Sequence, residues 1–402
     1  MTAPKPSAQA ALPFTQKHPL CPAPAMAALQ ESGTVHRVST LVGDEAWLVT
    51  GYDQVRTLYN GDLLSRSHRC PQEASRATAS MLFGGRPRDN YDTEDADRAW
   101  FREILYASVG PGPLRALRPW MEQTVTELLD RLAAAPKPAD FIDLIGLPLP
   151  TLVVCKLLGI DAEHLDRYRS LTAAIAASYD AERSGAGLQE LTDHLAELVA
   201  HRRVARDGLL WQVVKRPHLL QPETAGVIGA ALMFTGHHTT AVAVGYALLL
   251  LLEHPDQLEA LRADPAKLPA AIEECLRVGN FGVNTGGGNG IPTYARADME
   301  LDGRHIGAGE LVLLDTGAAN FDAEAFEDAF RFDIERHGNP HVTFGYGRHY
   351  CPGAGVARLE LQTLFAQLLP RFPDLRLAVP LEELTAHRDE ITGGLTSLPV
   401  TW

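Results

Sequence analysis

The spacing of apolar residues along the chain predicts a mainly α-helical protein with small β-sheets. Two short strands are indicated at residues 35–38 and 46–50, a hairpin at 299–306 and a further strand at 311–314. Glycine-containing breaks are predicted at 183–187 and 206–208. Helical periodicity is found at residues 22–30, 52–59, 97–105, 114–134, 141–158, 162–179, 188–204, 222–252, 268–278 and 354–369.

The longest of these predicted helices carries no formal charge between Glu223 and Glu253. By length and hydropathy it is a candidate membrane span. Its middle, residues 235–240, contains only Thr, Gly and His, which would be costly at the centre of a bilayer. Pro222 followed by Glu223 is also typical of a helix start in water. We therefore expect a long central helix of a soluble protein and no membrane association.

The first residues differ in composition from the rest of the chain. Residues 1–14 are scattered Pro, Ala and Ser with one lysine, and they predict a short disordered lead. No repeat or interdomain linker is visible afterwards, so residues 15–402 are expected to form a single domain. The irregular segment 63–91 is interpreted as either a binding loop or a plain surface linker.

Charge and cysteine usage narrow the range of functions. The formal net charge of -14 argues against a general affinity for nucleic acid or for anionic membranes. The five cysteines are far apart and show no C-x-x-C spacing. This usage indicates a reducing, cytoplasmic compartment and no zinc site.

Cys351 is the cysteine whose neighbours indicate chemistry. It lies among glycines, next to His349 and close to Arg348, just before a predicted helix that starts at Ala354. A helix N-terminus and cationic neighbours favour the thiolate, and glycines let the backbone approach a large flat group. On the residues alone, a buried structural cysteine in a turn is the alternative.

The run FGYGRHYCPG at residues 344–353 resembles the haem-binding signature of the cytochrome P-450 family, F-G-x-G-x-H-x-C-x-G, with every fixed position filled. The resemblance implies the single-domain cytochrome P-450 fold of soluble bacterial type, with a long central helix over a haem. It also implies that Cys351 is the axial ligand of the haem iron. Cofactor contacts are implied for the other fixed residues of the loop, which are Phe344, Gly345, Gly347, His349 and Gly353.

Two further motifs follow the family's order along the chain. Glu274 and Arg277 match the E-x-x-R motif, and the resemblance implies that Arg331 joins their structural ion pair. The run TGHHTT at residues 235–240 resembles the A-G-x-[D/E]-T-T segment of the central helix. Catalytic roles are thereby implied for three of its residues, Gly236, His238 and Thr239.

His238 is a departure from this pattern. Thr239 is implied to hold water at the oxygen-binding face, whereas the family has a proton-relaying acid where this chain has His238. Histidine titrates near neutral pH, so a relay by His238 is one interpretation. A contact with substrate, and an orientation outward to water or toward the next helix, are the other two.

The resemblance also implies how a haem b, iron protoporphyrin IX, is held. Its propionates are expected to meet His349, Arg98 and Arg102, with Arg98 in the place of the family's usual histidine. Thr293 stands where the family has a third cationic partner, and it cannot supply that charge. Predicted pocket-lining residues are Leu82, Phe83, Phe234, Thr235, Asn284, Thr285 and Thr392.

The implied activity is that of a haem-thiolate monooxygenase. It would activate dioxygen to hydroxylate or oxidatively couple a small organic substrate in secondary-metabolite tailoring, and an aromatic peptide or cyclodipeptide is the predicted substrate class. The chain carries no flavin or iron–sulfur motif, so NAD(P)H-derived electrons are expected from a separate ferredoxin and ferredoxin reductase. We expect a monomer. A peroxide-driven oxidase and a non-catalytic haem-binding protein are the alternatives. The basic patch predicted to receive the ferredoxin comprises Arg102, Arg336, Arg348 and Arg358.

Overall fold

The computed structural model describes residues 10–16, 18–215, 221–279 and 290–402. Most of this part of the chain is helical, in agreement with the apolar periodicity. The helices are α1 (Pro24–Ser32), α2 (Tyr52–Asn60), α3 (Glu94–Val109), α4 (Pro111–Ala134), α5 (Pro148–Leu158), α6 (Leu165–Ile175), α7 (Ala181–Ala200), α8 (Leu209–Val214), α9 (Pro222–Glu253), α10 (Pro255–Ala263), α11 (Leu268–Gly279), α12 (Thr316–Ala319) and α13 (Ala354–Arg371).

The strands form small sheets at the edge of the helical body. A six-stranded sheet has the order β1-β2-β3-β9-β6-β4, a three-stranded sheet the order β10-β11-β5, and β7 pairs with β8. The strands are β1 (Ala10–Ala11), β2 (Val35–Ser39), β3 (Glu45–Val49), β4 (Leu64–Ser65), β5 (Ala139–Asp140), β6 (Ile291–Ala295), β7 (Met299–Leu301), β8 (Arg304–Ile306), β9 (Leu311–Leu314), β10 (Arg376–Leu377) and β11 (Pro399–Thr401).

The N-terminal lead is partly ordered, which corrects the prediction for residues 10–12. Strand β1 pairs in parallel with β2, and the backbone N–H of Leu12 donates to the Ser39 carbonyl at 2.9 Å. Leu12 is buried, so burial of its side chain accompanies this pairing. Residues 1–9 lie outside the described part of the chain. The single domain over residues 15–402 stays a prediction.

Helix α7 runs through residues 183–187, so the prediction of a break in that segment is wrong. The Asp180 side chain caps the helix by accepting from the backbone N–H of Arg183 at 2.9 Å. Helix α6 in turn ends at Ile175, earlier than predicted, because the chain after it pairs elsewhere. The N–H of Ile391 donates to the Ala176 carbonyl and that of Ser178 to the Asp389 carbonyl, both at 2.8 Å.

Helix α9 is the central element and belongs to both of the largest apolar clusters. Its first half, residues 225–234, packs with α5, α6 and α7, and its second half, residues 242–251, packs with α4, α11 and α13. Among the described helices, α9 alone is long and apolar enough to cross a membrane, and 61% of its most apolar window is buried inside the fold. The polar residues 235–240 therefore lie at the junction of the two clusters.

Candidate active site

The cysteine loop is closed by its own backbone. The N–H of Cys351 donates to the Phe344 carbonyl at 2.7 Å, and that of Gly345 to the Val342 carbonyl at 2.8 Å. Gly345 has a φ of +70°, and a Cβ there would lie 2.9 Å from the His349 carbonyl oxygen. Only glycine fits this turn without strain. The loop delivers Cys351 three residues before the start of α13.

The sulfur of Cys351 lies next to Gly353, the residue directly before α13, since a Cβ on Gly353 would be 3.7 Å from the sulfur. Burial raises the pKa of the thiol, whereas hydrogen bonds from the Gly353 and Ala354 amides and the charges of Arg358 and Arg102 act in the opposite direction. Amide donors aimed at sulfur stabilise a thiolate and tune its basicity. This donor set suits a cysteine that is used as an anionic ligand.

Cationic groups crowd around His349 beside the loop. An Arg98 guanidinium nitrogen lies 3.2 Å from Nε2 of His349. Burial, followed by the charges of Arg66, Arg98 and Arg348, lowers the pKa of His349 to about 4. Arg102 donates to the carbonyls of Arg348 and Tyr350 at 3.3 and 3.1 Å.

These cations are only partly neutralised by protein. Asp95 is shared among the guanidinium groups of Arg98, Arg296 and Arg348, although Arg348 also pairs with Asp62. Additional carboxylates bound here would relieve the mutual repulsion of the cluster. The amides at Cys351 and this cluster together fit a haem, with a thiolate for its iron and cations for its propionates.

Thr293 takes no part in the cationic cluster. It is buried in β6, and its hydroxyl donates to the Val312 carbonyl of β9 at 2.7 Å. The hydroxyl therefore stabilises the sheet by linking β6 to β9.

The E-x-x-R pair is buried and has a third member that differs from the prediction. Arg277 makes two hydrogen bonds to the Glu274 carboxylate, at 2.8 and 2.7 Å, and both side chains are fully buried. Arg336 completes the site, with Nε 3.2 Å from each carboxylate oxygen. The prediction that Arg331 has this role is wrong. Arg331 contributes its carbonyl oxygen, which accepts from both Arg277 and Arg336.

One face of α9 is left uncovered by the described protein in the middle of the helix. Thr235 and Thr239, one turn apart, have exposed side chains, whereas their neighbours Phe234, His238 and Thr240 are buried. The Thr239 hydroxyl donates to the Thr235 carbonyl at 2.7 Å, so its oxygen can still accept a hydrogen bond.

Gly236 has a packing role next to these threonines. A Cβ at this position would lie 2.8 Å from Cγ2 of Val154 on α5. The glycine therefore permits close approach of α5 and α9.

His238 lies on a buried face of α9 that adjoins the uncovered one. Its Nδ1 lies 3.4 Å from the Thr392 hydroxyl and 3.9 Å from Oε2 of Glu390, both on the segment that precedes β11. Burial, and secondarily the charge of His387, lowers the pKa of His238 to about 4. In the described part of the chain Nε2 of His238 has no hydrogen-bond partner. An orientation outward to solvent is thereby excluded.

Apart from Thr235, which lies on the uncovered face of α9, the predicted pocket residues divide into three groups. Phe234 and Thr392 are buried around His238, and the Phe234 and His238 rings lie 5.4 Å apart. Leu82 packs on the apolar cluster that contains Phe234, and the Phe83 carbonyl accepts from Thr78 at 2.7 Å. Asn284 and Thr285 lie outside the described residues.

The predicted basic patch is largely neutralised, which weakens it as a docking surface. Arg336 belongs to the buried Glu274 site. Arg348 pairs with Asp62 and Asp95. Arg358 makes two 2.7 Å hydrogen bonds to Glu273. Of the four arginines, only Arg102 lacks a carboxylate partner among the described residues.

Sequence reasoning placed Arg336 in the basic patch and not at Glu274, and it missed Glu273, Glu390 and His387, which also shape the site. A second arginine in the segment 331–336 was a signal for the position of Arg336. The other three carry no motif, since their positions depend on how distant segments pack.

Comparison with known proteins gives a consistent result. A sequence profile described as cytochrome P450 matches residues 215–378. Pentalenolactone synthase from Streptomyces exfoliatus is 37% identical over 400 residues, covering 97% of this chain and 98% of that protein. Mycinamicin IV hydroxylase/epoxidase from Micromonospora griseorubida is 32% identical, covering 98% of each chain. The crystal structure of mycinamicin VIII C21 methyl hydroxylase MycCI from the same organism, bound to mycinamicin VIII, superposes with a TM-score of 0.86 at 28% identity, covering 98% of this chain and 100% of that chain.

Proposed function

The chain belongs to the cytochrome P450 family, and we propose that it is a haem-thiolate oxidase that tailors a small organic molecule of secondary metabolism. The fold is that of the family, and the protein is an oxidoreductase. Support for the tailoring role comes from the relatives, whose names refer to pentalenolactone and mycinamicin. An aromatic peptide or cyclodipeptide as substrate remains a prediction.

Cys351 is proposed as the axial ligand of a haem b. The Gly353 and Ala354 amides oppose the effect of burial on the sulfur and would help to stabilise the thiolate, and Arg98, Arg102 and His349 would bind the propionates. The haem, when bound, supplies the activation of dioxygen with two electrons and two protons. We expect the electrons from NAD(P)H through a separate ferredoxin and its reductase, and we expect a monomeric cytoplasmic protein.

Thr239 and His238 would control water and protons on α9. Thr239 presents its hydroxyl on the uncovered face of the helix, where it can hold a water molecule beside the substrate. His238 lies on the adjoining buried face and can move a proton between its two ring nitrogens. In this proposal Thr239 holds the water molecule and His238 supplies the protons.

The observation that carries the proposal is the position of the Cys351 sulfur beside Gly353, directly before the start of α13. The test is replacement of Cys351 by serine, with Cys275→Ser as the control, because Cys275 is a buried cysteine on α11 and not part of the loop. Both variants are reconstituted with haem and reduced under carbon monoxide. We expect the thiolate absorption signature in the wild type and in the control, and its loss in Cys351→Ser. Retention of that signature in Cys351→Ser would refute the proposal.

The reaction outcome is decided by product mass. Compounds that change the haem spin state are screened first, and those that bind are turned over with ferredoxin and reductase. A gain of one oxygen indicates hydroxylation, and a loss of two hydrogens indicates coupling or desaturation. Turnover that requires only peroxide would favour the peroxide-driven alternative.

A further inference from the structure

We propose that Glu390, on the segment before β11, supplies protons to His238, and that His387 connects Glu390 to solvent. The acid of the proton relay would then lie outside α9, on the C-terminal part of the chain. The inference rests on the proposed function, because only a reaction that consumes protons needs such a supply.

The three side chains form a row that leads from the surface to the core. Oε1 of Glu390 lies 3.6 Å from Nδ1 of His387, and Oε2 of Glu390 lies 3.9 Å from Nδ1 of His238. Exposure of the side chains decreases along the row, from 37% for His387 to 17% for Glu390 and 7% for His238. The carboxylate therefore bridges an accessible imidazole and a buried one.

The backbone fixes Glu390 in this position. Its neighbour Ile391 donates from its N–H to the Ala176 carbonyl at 2.8 Å, and Ser178 donates to the Asp389 carbonyl from both its N–H and its hydroxyl, each at 2.8 Å. Glu390 is held between these contacts as the bridge partner of Ala177. The Thr392 hydroxyl, 3.4 Å from Nδ1 of His238, can donate to or accept from the imidazole.

The charges around the row keep both groups ready to exchange a proton. Burial raises the pKa of the Glu390 carboxyl, as does Asp389, whereas His387 and Arg183 act in the opposite direction. Burial lowers the pKa of His238, and His387 adds to that effect. His237, the remaining titratable neighbour, is itself held neutral by burial, with His238 and Arg169 adding to the effect. A carboxyl with a raised pKa beside an imidazole with a lowered one forms no permanent ion pair.

The proton transfer balances without any additional reactant. Glu390 gives a proton to Nδ1 of His238 after a small approach from the present 3.9 Å, and His238 releases the proton that it carries on Nε2. Nε2 is buried and has no hydrogen-bond partner among the described residues, so its proton is the one that would pass to a bound water molecule or to the substrate. Glu390 is then reprotonated through His387, and the imidazole of His238, left with its proton on Nδ1, returns to the Nε2–H tautomer by a ring flip before the next transfer. Each complete cycle therefore moves one proton inward.

The first arm of the test reads the histidine directly. Nitrogen-15 NMR of the haem-loaded protein, reduced and bound to carbon monoxide so that it is diamagnetic, reports which nitrogen of His238 carries the proton. The signal is assigned by its loss in His238→Asn. An ionised Glu390 favours the proton on Nδ1, and a protonated Glu390 favours it on Nε2. We expect the wild type to change tautomer with pH as Glu390 titrates.

Matched variants separate the effect of the titrating carboxyl group of Glu390 from the effect of its side-chain size. Glu390→Gln keeps the size of the side chain and should abolish the pH-dependent change, whereas Glu390→Asp should retain it. Glu383→Gln removes an exposed carboxylate on the same segment and should leave the pH-dependent change of the His238 tautomer intact. His387→Asn should move the midpoint to higher pH, because His387 lowers the pKa of Glu390. A tautomer that does not change with pH in the wild type, or one that changes equally in Glu390→Gln, would overturn the inference.

The second arm measures the product formed per NAD(P)H consumed. Loss of a proton-transfer group costs on the order of 100-fold in rate, so we expect the coupling of Glu390→Gln to fall by about tenfold or more and to recover in Glu390→Asp. Equal coupling in Glu390→Gln and the wild type would overturn the relay. If the wild type turns over no substrate, the proposed function fails, and the NMR arm still decides whether Glu390 controls His238.

Discussion

Nε of Arg336 lies 3.2 Å from both carboxylate oxygens of Glu274, and this contact ties the chain that leads to the cysteine loop to helix α11. Arg277 holds the same carboxylate from within α11. Asn339 adds a further hydrogen bond at 2.9 Å. A carboxylate that is fully buried tolerates its charge only because these donors surround it.

Removal of Arg336 should therefore destabilise the protein strongly. We expect Arg336→Ala to cost about 3 kcal/mol of unfolding free energy, because it strips a buried carboxylate of one of its cations. Arg331→Ala is the matched control, since that side chain is exposed and contributes only its backbone carbonyl to the site. Its cost should stay within about 0.5 kcal/mol. Urea unfolding of both variants compares the two arginines, and equal losses would contradict the assignment.

The sequence predicts the pair within α11 but not which of Arg331 and Arg336 joins it. The E-x-x-R spacing places Glu274 and Arg277 on one face of a helix, and local geometry alone makes that pair predictable. The third cation arrives from a loop, where residues five apart have no fixed relative orientation. Which arginine turns inward depends on the turn at Asp328, whose φ is +46°, and on the tertiary contacts that the turn allows.

The same distinction separates the predicted from the unpredicted parts of the fold and of the candidate site. The long central helix was predictable from uninterrupted apolar periodicity, and the polar run at residues 235–240 from its contrast with the rest of that helix. The end of α6 was not, because Ile175 is followed by residues that pair with the chain near Glu390, more than 200 positions away. The surroundings of His238 depend on that same long-range pairing, so its partners could be found only in the folded structure.

Thr239 should be needed for coupling of electron consumption to product. Its hydroxyl lies on the uncovered face of α9, so Thr239→Ala should release reducing equivalents as hydrogen peroxide and lower the product formed per NAD(P)H several-fold. Thr239→Ser keeps the hydroxyl and should preserve coupling. Thr240→Ala is the control, because Thr240 is buried on the other side of the helix. Similar peroxide release from Thr239→Ala and the wild type would argue against a role in holding water.

Glu360 should make stability depend on pH. It lies in α13 and is buried, its Oε2 has no hydrogen-bond partner among the described residues, and burial raises its pKa well above the usual value. Between the ordinary and the raised pKa, the unfolded chain gives up this proton while the folded chain keeps it. Glu360 therefore adds most to the free energy of unfolding when the pH is below the ordinary glutamate pKa. As pH rises above that value, the free energy of unfolding falls by up to about 1.4 kcal/mol per pH unit.

Replacement of Glu360 by glutamine should remove this dependence. Glutamine has nearly the same shape and no proton to lose, so we expect Glu360→Gln to be more stable than the wild type at pH 8, with the gain shrinking as pH falls toward the ordinary glutamate pKa. Glu259→Gln on α10 is the control, because Glu259 is exposed and should leave the slope unchanged. Urea midpoints measured at several pH values decide the matter. A slope in Glu360→Gln equal to that of the wild type would mean that Glu360 is already ionised in the folded protein and that an unrecognised partner stabilises its charge.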